Sequence, residues 1–541
     1  MRRTGIVVTL LSTLILGGCA TRQVGKPPDA PPQGVTETRQ VAPTYSIAEV
    51  GDGRVVTPYP GPRAGYDVTV GRHVFRITFS KDVDRASVEA AVRGILERMS
   101  SGFAAPVSVP KPSFEWRDDR TVEVAVDLDA GPNDGRFFEG ARNYLISPDG
   151  ASFKDGQKIA LDAGLWLTAR APVTVYAVRA WPGGVGSDQV GATGRAVMTL
   201  DPGRPVASVF GDGQALLALE KESDAAIGDS GDAPPLFVPW LYPGDGKPAS
   251  LYAQTRYAID LGFLTDGRVW TARMREMAII GTEARPAPPI TIGVGTELIF
   301  DALAVSGNGG TVAYLMRARG ETARGDKEQA KLDLIIDRPA IYGSDAVAIG
   351  RDRVAAVMRM PAMADFYGPP IGMALDHDGD TLIFNDLSVR VHPLVVMDLK
   401  TRARRTIAAP ESFPGIAPVE GYPIRGFAGN LAISVDGTKG AGLVTGVPVV
   451  VDLESGAVRA IKLPARIRLD ERRRPFSSSF MFSPDGQTLA FPVIAGRTEA
   501  EEEARVAVYD LASGAVTDRG PGKLVGWSTD GSSVFVVRPA K

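Results

Sequence analysis

The sequence predicts an all-β chain: a β-sandwich carrying one helix, followed by a β-propeller of seven blades. Three observations predict it. The run Phe480–Leu511 reads as an apolar strand, a tight Pro484-Asp485-Gly486 turn, a second strand, an acidic loop and a third strand. A Ser513-Gly514 turn and a fourth strand follow, and four short antiparallel strands with turns of this kind make one propeller blade. The layout recurs at Met373–Ile407 and Leu431–Ile461, and in weaker form at Val209–Leu219, Phe263–Ala272 and Leu303–Leu315. Finally, Leu524–Val537 repeats the first two strands and then the chain ends, so its blade must be completed from elsewhere. The turn signals are spaced at roughly 45 to 70 residues, against about 40–45 for a plain blade, so several blades carry insertions. No blade can bury both of its faces alone, and such repeats therefore stack into a ring.

Where the residues read SPDG, LAF and VYDLASG, the repeats resemble the TolB-like (WD-type) propellers of bacterial envelope proteins. The resemblance is close over Met373–Lys541 and looser over Val209–Leu315. It implies the fold, and for function an expectation of binding.

Taken in order, residues 1–19 carry Arg2 and Arg3, an apolar run from Ile6 to Leu16, and then Gly17-Gly18-Cys19. A basic start with a short apolar core is a secretory leader, since a spanning helix needs about 20 apolar residues. Leu16-Gly17-Gly18-Cys19 resembles the bacterial lipobox, which implies acylation of Cys19 and an anchor in the membrane through the N-terminal lipid. The alternative is a plain leader with an incidental cysteine. Cys19 is the only cysteine in the chain and stands where the lipobox requires one. Residues 20–63 are rich in Pro and Gly with little apolar periodicity, and read as a flexible tether, with a structured N-terminal arm as the alternative.

Residues 64–170 read as a separate domain. His73–Phe79 alternates as a half-buried strand, and Asp84 is placed to cap a helix that aligns Val88, Val92, Ile95, Leu96 and Met99 on one face. Phe114–Trp116, Val122–Val126, Asn143–Ile146 and Lys158–Leu161 supply further strands. The runs RITFSKDVDRASVEAAV, WRDDRTVEVAVDL and YLISPDGASFKDGQKIA resemble the immunoglobulin-like domains of bacterial surface-layer proteins (SbsA-like), which implies a sandwich. The helix Ser87–Ser100 is longer than that pattern.

The propeller is assigned to residues 171–541, with Leu165–Ala192 read as a transition. Arg195–Leu200 and Pro205–Val209 form the hairpin expected to pair with Leu524–Val537 in a composite closing blade. A six-bladed ring with a stray hairpin is the alternative.

In a four-stranded blade the A–B and C–D turns lie on one face of the disc, and the B–C and D–A connections on the other. The long insertions are Glu220–Ser250, Arg317–Lys331, Pro339–Pro370, Ala408–Asn430, Pro464–Ser477 and Ala495–Ala504, all in B–C or D–A connections. Loops on one face of a rigid scaffold are where binding usually lives, and aromatic residues and Arg anchor interfaces. The candidate ligand-binding residues are accordingly Trp240, Tyr242, Tyr252, Phe366, Tyr367, Phe413, Tyr422 and Arg425. The competing reading of each is that it packs its own loop down.

Catalytic patterns are sparse. With 60 Lys and Arg against 63 Asp and Glu, a net charge of −3, there is no basic excess to hold nucleic acid. Gly228-Asp229-Ser230-Gly231 matches a serine-protease nucleophile sequence, but none of the three histidines (His73, His377, His392) has a suitable context. No G-x-S-x-G elbow, phosphate loop or cofactor motif occurs, and no cofactor is expected. Asp376, Asp378 and Asp380 alternate like the start of a calcium loop, yet Thr381 and Leu387 stand where that loop needs Gly and Glu. An acidic blade turn is the plainer reading, and His377 and His392 could approach one another in that blade.

The expected protein is therefore an exported, lipid-anchored bacterial envelope protein. It would bind a protein, peptide or glycan through the loop face of its propeller, in the outer membrane or on the outer face of the cytoplasmic membrane. The alternative is a secreted propeller enzyme, a lactonase or a glycan-active lyase or hydrolase, with carboxylates at the channel mouth.

Overall fold

A computed structural model describes residues 45–51, 54–56, 65–101, 108–130, 141–159, 164–181, 194–200, 206–211, 214–220, 237–242, 249–250, 260–273, 276–282, 289–293, 298–318, 333–337, 372–386, 389, 391–416, 425–428, 430–470, 480–496 and 502–540. Among these, no helix is long and apolar enough to cross a membrane. Cys19 lies outside the described residues.

The N-terminal part is a sandwich. One sheet takes Arg54–Val56, Tyr45–Gly51, Gly71–Phe79, Thr121–Leu128 and Ser113–Trp116 in that order. The other takes Gly65–Thr69, Leu165–Arg170 and Ala141–Ile146. Alternation along the strands sends Phe75, Ile77, Val122, Val124 and Val126 from the first sheet, and Tyr144, Ile146 and Leu167 from the second, into one core. Helix α1 (Arg85–Ser101) adds Val88, Val92 and Leu96 to the same core. Asp84 caps it as expected, Oδ1 accepting the N–H of Ala86 at 3.1 Å and of Ser87 at 3.4 Å.

Tyr45–Gly51, placed in the tether from sequence, is instead a strand antiparallel to Gly71–Phe79. Its Tyr45 and Ile47 are buried, and that apolar alternation outweighs the Pro-rich composition around it.

Among the described residues, seven further sheets form the propeller. Blade 1 takes Val206–Phe210, Gln214–Glu220, Phe237–Tyr242 and Ala249–Ser250; blade 2 takes Asp260–Phe263, Val269–Arg273, Glu276–Ile280 and Ile290–Gly293. Blade 3 shows three strands, Leu298–Val305, Val312–Ala318 and Asp333–Asp337. Blade 4 comprises Met373–Leu375, Thr381–Asn385, Leu394–Asp398 and Arg404–Ile407. Blade 5 comprises Ala432–Ile433, Lys439–Val444, Val447–Asp452 and Val458–Ala460. In blade 6 both Ile467–Leu469 and Met481–Phe482 pair with Thr488–Ala495, followed by Glu503–Asp510 and Val516–Pro521.

Blade 7 is composite, as expected, but with different strands. Lys523–Trp527 and Ser533–Pro539 are joined by Val173–Arg179 and then Arg195–Leu200. All seven residues of Val173–Arg179 pair with Ser533–Pro539. The expected partner hairpin, Arg195–Val209, is split: Val206–Phe210 is the inner strand of blade 1, paired with Gln214–Glu220 across its own tight turn. One strand cannot serve two sheets, and the neighbouring turn claims it.

Four of the A–B turns, those of blades 3, 5, 6 and 7, share one hydrogen-bonding device. In blade 6, Ser483 Oγ donates to Asp485 Oδ1 at 2.5 Å and accepts the N–H of Thr488 at 3.0 Å. Ser434 with Asp436, Ser528 with Asp530 and Ser306 with Asn308 repeat it. Adjacent turns are also bonded through their backbones: Thr265 N–H to Gly307 O (2.9 Å), Asn308 N–H to His377 O (3.1 Å) and His377 N–H to Val435 O (3.3 Å).

Candidate functional site

The A–B turns and the C–D turns after Asp398, Asp452 and Asp510 are tight, the last three closed by each aspartate accepting nearby backbone N–H groups. In an antiparallel blade the B–C and D–A connections emerge at the opposite end. Most of the long connections are here: residues 221–236, 319–332, 408–431, 461–480 and 496–502. The expectation that all of them share this face fails twice: 338–372 leaves the third strand of blade 3, and 180–194 joins the third and fourth strands of blade 7, so both start from the tight-turn end.

The described part of that loop face is clearest between blades 4 and 5. Asn385 ends the second strand of blade 4 and is buried. Its Oδ1 accepts the N–H of Gly372 at 2.6 Å and its Nδ2 donates to Phe427 O at 3.2 Å, so one amide holds the starts of two blades. His392 lies in the B–C connection of blade 4 and runs beside the segment before blade 5. Its N–H donates to Arg425 O (2.9 Å), and its carbonyl accepts the N–H of Phe427 (2.8 Å). Gly426, at φ +92°, makes this approach possible: a Cβ there would lie 2.3 Å from His392 O. The N–H of Thr445, in the B–C turn of blade 5, donates to Gly426 O at 2.9 Å. Three connections are thus tied together, and Arg425 stands exposed upon them.

His392 is half-buried and its Nδ1 has no hydrogen-bond partner. Burial pushes its pKa below the ordinary imidazole range, against the opposing pull of Asp386. Further round the face, Arg468 pairs with Glu502, joining the entry to blade 6 to its B–C loop.

The predicted site residues fare unequally. Arg425 is on the loop face and exposed. Phe413 is also there, but it packs against the core between blades 4 and 5. Trp240 and Tyr242, expected in an insertion, belong to the third strand of blade 1. Tyr242 pairs with Ala215 beside the tight-turn end, and packs against the core shared with blade 7. Pro239 can lie within this strand opposite Ala218 because the pairing persists on both sides of it. Tyr252, Phe366, Tyr367 and Tyr422 lie outside the described residues.

The acidic turn of blade 4 is spent on structure. Buried Asp376 accepts the N–H of Asp380 at 2.8 Å, Asp380 pairs with Lys400 at 2.5 Å, and Asp378 projects into solvent. Among the described residues there is no group of three or more His, Cys, Asp or Glu able to hold a metal ion. His377 lies in an A–B turn and His392 in a B–C connection, so the two sit at opposite ends of blade 4 and do not meet. Sequence reasoning missed Asn385 and the Gly426 approach, because neither carries a motif; a glycine beside an aromatic is too common a pair to point to a seam.

No family model matches the chain, and no curated protein matches it. Solved structures with similarity to it include a putative TolB from Agrobacterium tumefaciens at 15% identity and TM-score 0.32, covering 55% of this chain and 94% of that one. TolB from Acinetobacter baumannii is similar at 11% identity and TM-score 0.32, covering 92% and 96%. An oligogalacturonate lyase from Vibrio parahaemolyticus is similar at 11% identity and TM-score 0.40, covering 69% and 99%. The propeller of this chain rests on its own sheet topology, and the neighbours' activities stay with the neighbours.

Proposed function

We propose that this chain is a non-catalytic binding or scaffold protein of the bacterial cell envelope. In this reading it is anchored through a lipid on Cys19, and its propeller loop face engages a protein, peptide or glycan. The N-terminal sandwich, of the surface-layer immunoglobulin-like type, acts as a spacer beneath the propeller. One observation carries the reading: most of the long connections, 221–236, 319–332, 408–431, 461–480 and 496–502, emerge at one end of the blades, where the Asn385, His392 and Thr445 ties give them a fixed platform. A rigid base under variable loops is a recognition architecture. The described part of this face presents an exposed arginine without a convergent set of acids and bases.

The test is site-specific photocrosslinking in the producing cell. A crosslinker at Arg425 is expected to yield a discrete adduct, and the same group at Asp485, on the tight-turn face, is expected to yield none. Equal adducts from both positions, or none from several loop-face positions, would overturn the reading. Labelled fatty acid incorporated by the parent chain and lost in Cys19→Ala tests the anchor separately.

A further inference from the structure

Arg519 is a buried cation, only 4% exposed, whose Nε makes no hydrogen bond. It lies in the outer strand of blade 6, Val516–Pro521, where the pairing slips: Arg505 faces Pro521 while Ala507 faces Asp518. Arg519 and Gly520 therefore stand together opposite Val506. A bulge of this kind re-aims a side chain. Val506 belongs to the core between blades 6 and 7, with Tyr176 and Val536, so the bulge directs Arg519 into that seam.

A second arginine reaches the backbone of the same bulge. Arg538 of blade 7 donates from Nη2 to Arg519 O at 3.4 Å and from Nε to Pro521 O at 2.6 Å, and lies over the Tyr176 ring at 5.2 Å. The carboxylate of the adjacent Asp518 is already engaged, accepting from Arg505 Nε at 2.9 Å and from the N–H of Gly520 at 2.8 Å. Glu503 is paired with Arg505. Among the described residues, Asp518 and Glu503 are hydrogen-bonded to Arg505, and Asp518 reaches Arg519 only by its Coulombic attraction. Burying an uncompensated charge is costly, and such groups are ordinarily paired. The end of this strand leads into the D–A connection, so the cluster lies at the loop-face end of the seam.

We propose that the seam between blades 6 and 7 is a binding site for a small oxyanion, a carboxylate or phosphate group, with Arg519 as its principal donor. A guanidinium offers a planar fork of N–H groups that matches two oxygens of such an anion at once, and Arg519 has that fork uncommitted at Nε. The site is separate from the loop-face platform between blades 4 and 5, and either assignment can fail without the other.

Calorimetric titration of the full chain with inorganic phosphate and with acetate, at ionic strength held constant with chloride, tests it. Saturable binding of at least one is expected, and which one tells phosphate from carboxylate chemistry. In Arg519→Met, which keeps the bulk and removes the donors, binding is expected to vanish. In the absence of anion this variant is expected to melt no lower than the parent, because a buried charge has gone. A purely structural Arg519 predicts the reverse: a lower melting temperature and no anion effect in either protein. Arg519→Lys keeps the charge but not the fork, and is expected to weaken binding about tenfold or more; it serves if the Met variant does not fold. Absence of saturable binding by both anions in the parent, or equal binding in parent and variant, would overturn the proposal.

Discussion

A methyl group on Gly379 would lie 2.3 Å from Oγ1 of Thr311, a residue of the preceding blade. The turn glycines of blades 2 to 7 all face the blade before them, but at different distances. Gly486 has the same left-handed backbone, φ +69° against +74°, and meets Ser434 at an ordinary 3.7 Å. The pair separates two costs of adding a side chain. Gly486→Ala is expected to lose only the conformational term, about 1–2 kcal/mol. Gly379→Ala adds a steric clash between blades, for a total of about 2–5 kcal/mol. Urea midpoints of the two variants, compared with the parent, check the difference; equal losses would mean that the neighbouring blade simply moves aside.

Ser483 is fully buried and serves its turn as both donor and acceptor. Ser483→Ala leaves the N–H of Thr488 without its acceptor and is expected to cost about 1–3 kcal/mol. Ser513→Ala, in an exposed C–D turn, is expected to cost under about 0.5 kcal/mol. Thermal melts of the two variants under the same conditions decide it.

Asn385 supports the loop-face platform from below. Asn385→Leu removes both partners' hydrogen bonds, leaving Gly372 N–H and Phe427 O buried and unsatisfied, at an expected cost of about 2–4 kcal/mol. The effect should also be local: hydrogen exchange at residues 425–428 is expected to quicken before that of blades 1 and 2. Uniform acceleration throughout the ring would contradict a platform role.

His392 makes the platform sensitive to acid. Burial holds its pKa below the ordinary 6.5, so the unfolded chain takes up a proton that the folded chain resists. Stability is therefore complete above about pH 6.5 and falls as the pH drops through the folded value. His392→Gln is expected to flatten this part of the profile, read as urea midpoints between about pH 7.5 and 5. An unchanged slope in the variant would assign the acid sensitivity elsewhere.

Most of the ring was legible because its turns are chemically loud. Ser483-Pro484-Asp485-Gly486 and Asp510 with Ser513-Gly514 combine residue types that do one job in one geometry, and the bonds they make are those their side chains announce. Val173–Arg179 was passed over because it is an interior strand of blade 7 whose partner lies at the far end of the chain; nothing local marks it. Pro239 disguised the third strand of blade 1, since proline removes a ladder donor and ordinarily argues against a strand. The candidate site was the less readable part. Aromatic type suggests contact but not direction, and both Tyr242 and Phe413 turn toward cores. Arg519 gave no signal at all, because its burial with an unbonded Nε comes from a bulge and from carboxylates already bonded to Arg505.

The composite seventh blade fixes a schedule as well as a shape. Ser533–Pro539 is the piece that Val173–Arg179 waits for, and the ribosome makes it only after the strands of the six other blades. Until those few residues arrive, the ring remains an open arc with an unsatisfied edge at each end. Completion thus waits for synthesis of Ser533–Pro539, and a chain cut before that strand lacks its clasp.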